Sequence, residues 1–457
     1  MTRKTLNHPD LRPSLSASTR DGIAYSIMAG AGETYVAAFA LFLKASISQV
    51  GWLSSLPAVI GSFAQLFSAW LGRHYGRRRG IIVTGAYLQA LAWIPLIAVP
   101  ILFPYHAITL LIVTVTCYYA LGNLIIPQWS SLMGDLLPER WRGRYFARRN
   151  GVMSITNLLA LVAGGTILHF SELAGLTYLG FVAIFSTALA ARLVSAHYLA
   201  RMEDPAGHVA RLEWPLGVEW LRRIRGSRFL HFAMFFSAMQ FAVGIAAPYF
   251  AVYMLRDLNL SYLEYTALTA ASILTQFLTL NGWGRISDAF GNRLILVATG
   301  VVIPILPSLW LLSENFWYLL AVQFVAGGAW GGFSLSAGNF LYDLVPAEKR
   351  VTYLAVHNVM AAVGVFCGVL LGSLIAVLAE DGGLPGATHF SHALFVVFVV
   401  STLARLLVAM FFLPRLKEVR TIRPVTAVGL VLRATRSMAL AGFVVEFAGF
   451  RRRKRET

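Results

Sequence analysis

Residues 135–150 read DLLPERWRGRYFARRN, and residues 343–358 read DLVPAEKRVTYLAVHN. Without a gap, Asp135, Leu136, Pro138, Arg142, Tyr145, Ala147 and Asn150 recur as Asp343, Leu344, Pro346, Arg350, Tyr353, Ala355 and Asn358, a constant displacement of 208. The match extends outward. AWLGRHYGRRRGIIVTG around Gly72 pairs with NGWGRISDAFGNRLILVATG around Gly284, Gly164 matches Gly372, and ARLV around Arg192 resembles ARLL around Arg405. One plan is therefore written twice along the chain.

The composition sets the solvent in which that plan operates. Of 457 residues, 57% are hydrophobic and only 13% charged, too few polar groups to cover a water-soluble fold of this size. Apolar runs long enough to cross about 30 Å of hydrocarbon, roughly 20 helical residues each, recur along most of the chain. Twelve are expected, at 22–43, 48–71, 80–103, 107–133, 151–171, 176–199, 229–253, 262–283, 294–313, 316–341, 351–379 and 389–413. The runs are continuous and do not alternate, which favours helices over barrel strands. The expected fold is all-α and polytopic: twelve transmembrane helices in two pseudo-symmetric six-helix bundles.

A tail over 1–21, bundles over 22–199 and 229–413, a linker over 200–228 and a basic tail over 414–457 complete the division. The polar first twenty residues do not read as a cleaved signal, so helix 1 is expected to be retained.

Net charge is +17, which raises the question of nucleic acid. In a twelve-helix reading, 34 of the 38 Lys and Arg fall on one side, only Lys44 and Arg256 on the other, and Arg192 and Arg405 within helices. That asymmetry is the positive-inside rule, so both termini are expected in the cytoplasm of a multi-pass plasma (bacterial inner) membrane. The excess charge faces lipid headgroups, and nucleic acid is not expected as a partner. EWLRRIRG in the linker and SMALAGFVVEFAGF followed by RRRKR in the tail read as interfacial helices. Cys117 and Cys367 are read as small apolar filler, with no disulfide frame and no metal cluster.

Two parallel six-helix repeats joined by a polar linker make a carrier plan, with a site where the repeats meet near mid-membrane. The chain resembles the major facilitator superfamily over about residues 20–413. That family carries Gly, three residues, Asp, two residues, Gly and two basic residues after the second helix of each half. Gly284, Asp288, Gly291 and Arg293 keep the pattern with Asn292 in one basic place, whereas the first half keeps Gly76, Arg77 and Arg78 but has Ala69 and Arg73 in place of Gly and Asp. The resemblance implies a gate of breakable charge pairs involving Arg73, Asp135, Arg142, Asp288, Arg293, Asp343 and Arg350, with Asp135 supplying the missing carboxylate. The same residues also suit turns and helix caps.

Glu33 is the only acid squarely within an expected span, where a charge costs roughly 2.5–3.5 kcal/mol on insertion scales. It reads either as a proton-coupling group or as a structural hydrogen-bonding residue beside Ala29, Gly30 and Gly32. Its counterpart in the second half is near Ile245, so the acid belongs to one repeat only. The resemblance further implies that helices 1, 4, 7 and 10 line the cavity. Tyr119 and Asn123 of helix 4, Gln240 and Tyr249 of helix 7, and Gln323, Trp330 and Ser334 of helix 10 are the substrate-facing candidates, the last three sharing a stripe with Gly327. Gln65, Gln89, Gln276 and Asn281 are weaker candidates, and His357, paired with Arg149 in the repeat, reads as a neutral water-edge residue.

The expected activity is secondary active transport of a small solute by alternating access, coupled to protons and leaning to export. A uniporter, or a membrane sensor or assembly factor that kept the fold, remains open. Metalloprotease, hydrolase and nucleotide-binding motifs are missing, so no enzyme and no cofactor are expected. The chain is read as a monomer among lipids. With one acid and no basic group among its cavity candidates, a neutral or cationic solute is preferred.

Overall fold

The computed structural model describes residues 12–75, 78–137, 139–204, 225–345, 350–382 and 391–418. Among the described residues twelve helical stretches succeed one another. In the first half they are α1 (Arg12–Ala31 and Val36–Phe42, joined by the 3-10 turn Glu33–Tyr35), α2 (Ile47–Tyr75), α3 (Arg78–Leu91 and Trp93–Leu102), α4 (Ala107–Leu136), α5 (Glu139–Leu173) and α6 (Thr177–Ala200). In the second they are α7 (Arg228–Gly244, continuing through Tyr249–Val252 and the π turn Tyr253–Asp257), α8 (Tyr262–Phe290), α9 (Asn292–Leu309), α10 (Phe316–Leu344), α11 (Arg350–Glu380) and α12 (Leu394–Phe412). Among the described residues ten helices are long and apolar enough to cross a membrane, the exceptions being the broken α1 and α8. Phe63, Leu159, Phe170, Leu407 and Met410 stand exposed on the outer surface, where lipid would cover them.

Two helices start earlier than their hydropathy suggests. α1 begins at Arg12 because Ser14, Ser18 and Asp21, polar in sequence, are buried against other helices. α5 begins at Glu139 and carries its basic first turns beyond the apolar run. The linker motif EWLRRIRG and the tail motif SMALAGFVVEFAGF lie outside the described residues.

The repeat is visible in packing. α2 packs on α4 as α8 packs on α10, α1 on α5 as α7 on α11, and between the halves α2 meets α11 while α5 meets α8. Close approach depends on missing side chains: a Cβ on Gly364, Gly368 or Gly372 of α11 would run into the carbonyl oxygens of Ser237, Phe241 and Ile245 of α7. Gly291 at the α8–α9 junction has φ of +80°, which explains glycine at that point of the loop motif.

The hydrophobic cores distinguish the two ends of the molecule. At the end distant from Arg12 and Glu418, a single cluster draws on both halves, from Tyr35, Phe39, Val50, Leu161 and Phe181 to Tyr249, Tyr262, Tyr265 and Leu268. Toward the end holding Arg12 and Glu418, each half has cores of its own: Ile82, Ile125, Leu132 and Leu199 in one, and Phe232, Leu296, Phe333, Phe340 and Trp283 in the other. The halves share one core at the first end and keep separate cores toward the second, and Asn358 of α11 donates to Gln65 of α2 across them at 3.4 Å.

Candidate functional site

A cavity of about 730 Å³ runs along the inner face of the second half. α7 contributes Phe236, Gln240 and Phe250, α8 Ser272 and Gln276, and α10 Gln323, Trp330, Phe333 and Ser334. Gln323, Trp330 and Ser334 share the cavity because they lie seven and four residues apart, close to whole helical turns. Gly327, on the same stripe, is pressed against the backbone of Ser272 and serves the α8–α10 contact. His357 and Asn358 of α11 and Arg405 of α12 complete the wall. His357 is buried and lies against Phe232 and Phe236. Arg405 puts a basic group in a cavity whose sequence candidates included none.

The remaining candidates lie elsewhere. Asn123 bridges α4 and α2, accepting from the side chain of Gln65 at 2.6 Å and donating to the Tyr119 carbonyl at 2.8 Å. Tyr119 packs edge-on against Tyr118. Tyr249 is fully buried in the shared core and donates to the Val369 carbonyl at 3.2 Å. Gln89 abuts Gly122, and Asn281 is exposed on α8.

Glu33 occupies the turn that interrupts α1 and accepts a hydrogen bond from the Tyr118 hydroxyl at 2.6 Å. The turn is possible because Gly32 sits under the Trp93 ring, which meets Tyr118 edge-on with centroids 5.0 Å apart. Below it lies a polar network missed by hydropathy. Arg149 pairs with Asp21 at 3.2 Å and lies over the Trp129 ring; Ser195 donates to Asp21 at 2.7 Å and accepts from Arg192 at 2.7 Å. The Arg192 guanidinium lies 5.2 Å from the centre of the Tyr25 ring. Arg149, Asp21, Ser195 and Arg192 thus form one connected buried chain inside the first half. The signal was a run of polar residues at helical spacing, Ser14, Ser18, Asp21 and Tyr25, just ahead of the apolar segment.

At the loop motifs, the described carboxylates bond within their own halves. Arg78 is buried and spans Asp135 at 2.6 Å and Asp204 at 3.1 Å. Asp343 accepts from Asn292 at 3.1 Å; Arg293 donates its backbone N–H to Glu418 at 2.8 Å and its Nε to the Leu416 carbonyl at 2.6 Å. Asp288 is exposed, and no side chain crowds the Cβ position of Gly284. Gly76, Arg77, Pro138, Pro346 and the side chains of Arg73, Arg142 and Arg350 lie outside the described residues.

Curated relatives match over short stretches. A vacuolar membrane amino acid uptake transporter of Schizosaccharomyces pombe, fnx2, is 30% identical over 116 residues, 25% of this chain and 20% of that protein. The multidrug resistance protein MdtG of Proteus mirabilis is 30% identical over 120 residues, 26% of this chain and 29% of the relative. The class C tetracycline resistance protein of Escherichia coli is 30% identical over 118 residues, 25% and 29% respectively. The matched segment thus spans less than a third of these relatives' own length.

Among solved structures, the nucleoside transporter NupG superposes with a TM-score of 0.67 at 12% identity, covering 88% of this chain and 100% of the other. A D-xylose-proton symporter gives 0.67 at 14%, covering 90% and 100%. At such identities the likeness is one of fold. The family model described as Major Facilitator Superfamily matches twice, at residues 22–243 and 230–451, in register with the two halves. The chain belongs to the Major Facilitator Superfamily.

Proposed function

We propose that this protein is a secondary active carrier, moving a small solute across the membrane by rocking its two halves about the central cavity. The observation that carries this reading is the asymmetry of the cores: one core shared at one end, separate cores at the other, with a solute-sized cavity in the second half. A sheared or hinged pair of rigid bundles needs such an arrangement to expose a site to one side at a time. In this reading the basic loops face the cytoplasm, and the end with separate cores opens inward. Gln240, Gln323, Trp330 and Ser334 contact the solute in this reading, with Tyr119 and Asn123 facing them from the first half. Tyr249 acts in the far closure, while Asp135, Asp288, Arg293 and Asp343 form the changing charge pairs of the end with separate cores.

Glu33 is the proton-carrying group in this proposal, and the direction is export. Its position in a helix break, bonded to the Tyr118 hydroxyl, gives a carboxyl whose protonation is coupled to a neighbouring helix. The Tyr118 bond also favours a second reading, a uniporter in which Glu33 holds α1 to α4 and carries no proton.

Proteoliposomes containing a pH-sensitive dye separate the two. Under the proposal, an added solute drives proton flux in the native protein and none in Glu33→Gln, which still accepts from Tyr118 and keeps the fold. Solute flux without proton movement in both proteins would establish the uniporter; no solute flux in the native protein would overturn the carrier reading.

A further inference from the structure

The two halves handle the same buried arginine differently. Arg192 and Arg405 hold equivalent places in the repeat, each about 3% exposed. Asp21, which lies on the same helix as Glu33, pairs with Arg149 and is linked to Arg192 through Ser195. The corresponding positions in the second half are Ala233, Ile245, His357 and Val408. Both acids have gone, and the cation has stayed.

What remains around Arg405 does not balance it. Among the described residues neither arginine has a partner for its Nε or a carboxylate at ion-pair distance, but Arg192 is linked to Asp21 through the Ser195 hydroxyl, whereas the Nη1 of Arg405 donates only to the Ile303 carbonyl at 3.3 Å. The cavity wall to which it belongs contains no acid; its only other ionisable side chain is His357. A guanidinium taken out of water without a counter-charge destabilises the protein that carries it, unless something supplies the charge.

We infer that the cavity takes an amphipathic monocarboxylate, its carboxylate paired with Arg405 and its flat apolar body held between the aromatic walls. The planar fork of a guanidinium matches a carboxylate in two parallel hydrogen bonds. One permanent positive charge matches one negative charge, which disfavours dicarboxylates and phosphate dianions. Phe236, Trp310, Trp330 and Phe333 supply the apolar surface, and Gln240 and Gln323 offer amides to a polar substituent. The inference rests on the carrier reading only in taking this cavity as the transported solute's site. It replaces the preference for a neutral or cationic solute.

The test uses the purified full-length protein with 2-naphthoate, 2-naphthamide, 2-naphthylmethylamine and naphthyl phosphate as probes, read by equilibrium dialysis and thermal melting. Naphthoate is expected to bind and to raise the melting temperature, with the amide, amine and phosphate at least tenfold weaker. Arg405→Gln is expected to weaken naphthoate by roughly tenfold to a hundredfold, the usual worth of a hydrogen bond to a charged group, and Arg405→Lys to retain part of it. Arg405→Leu, which removes an unpaired charge, is expected to melt no lower than the native ligand-free protein, whereas Arg192→Leu, which takes from Ser195 the donor that completes its link to Asp21, melts lower.

Equal binding of the amide or amine, stronger binding of the phosphate, or naphthoate affinity unchanged in Arg405→Gln would each overturn the inference. So would sodium chloride alone reproducing the stabilisation, since the site would then hold an inorganic anion. Naphthoate binding that depends on Arg405 without flux in vesicles supports this inference while removing the carrier reading; flux of a neutral solute indifferent to Arg405→Gln does the reverse.

Discussion

The hydroxyl of Tyr35 in the first half lies 2.8 Å from that of Thr266 in the second and donates its proton to the Leu161 carbonyl at 2.6 Å, so that it faces Thr266 as an acceptor. Gly164 and Gly165 of α5 make room for this contact, the first against the Tyr35 ring and the second against the Thr266 side chain. Tyr265 adds a weaker bond across the same seam, to the Thr34 carbonyl at 3.4 Å. The seam lies within the shared core, so its stability sets how long that end stays shut.

Tyr35→Phe removes the hydroxyl from both bonds and leaves the ring. With a net worth of about 0.5–1.5 kcal/mol per hydrogen bond, the balance is expected to shift roughly twofold to tenfold toward opening of this end. A cysteine in place of buried Leu268, in a background lacking Cys117 and Cys367, reports the shift. Its reaction with a water-soluble maleimide is expected to quicken in Tyr35→Phe by that factor, and an unchanged rate contradicts the role given to the pair.

Arg78 is 2% exposed and holds two carboxylates, Asp135 at 41% and Asp204 at 17%. Arg78→Ala leaves both without their cation and is expected to cost about 1.5–3 kcal/mol, the range for charge-assisted bonds, less than a wholly buried pair would. Asp135→Asn, which keeps the Ser131 contact of Arg78 and its Asp204 pair, is expected to cost clearly less. Thermal melting in detergent micelles orders the two, and a reversed order contradicts the assignment of Arg78 as the centre of the cluster.

Gly368 on α11 faces the Phe241 carbonyl of α7 with no space for a side chain. Gly368→Val is expected to force the helices apart at a cost of about 1–3 kcal/mol. Gly151, with open space around it, is the control, and Gly151→Ala is expected to leave the melting temperature unchanged or raise it slightly.

Much of this architecture was legible in the sequence because its two strongest signals are periodic. Apolar runs gave the twelve helices, and the 208-residue repeat paired them. The helical period also put Gln323, Trp330 and Ser334 on one wall. Charge pairs inside a bundle leave no hydropathy signal, which hid Asp21, Arg149 and the early start of α1. Arg405 was visible as the partner of Arg192, but only the structure turns it toward the cavity. Its significance was nonetheless present in the repeat, in the loss of Asp21 and Glu33 to Ala233 and Ile245. Tyr249 illustrates the opposite case: a polar handle on the expected cavity helix, its hydroxyl consumed by α11 after the regular helix of α7 ends at Gly244.

The most direct test of two halves rocking about a central site is the distance between them at each end. Spin labels at exposed Ala147 and Ala289 report the end with separate cores, and labels at Leu176 and Leu263 the end with the shared core. In lipid nanodiscs, alternating access predicts two distance populations at each end, with any solute or pH change that shortens the first lengthening the second. A single fixed distance at both ends, under every pH and solute tried while vesicles still transport, would contradict it.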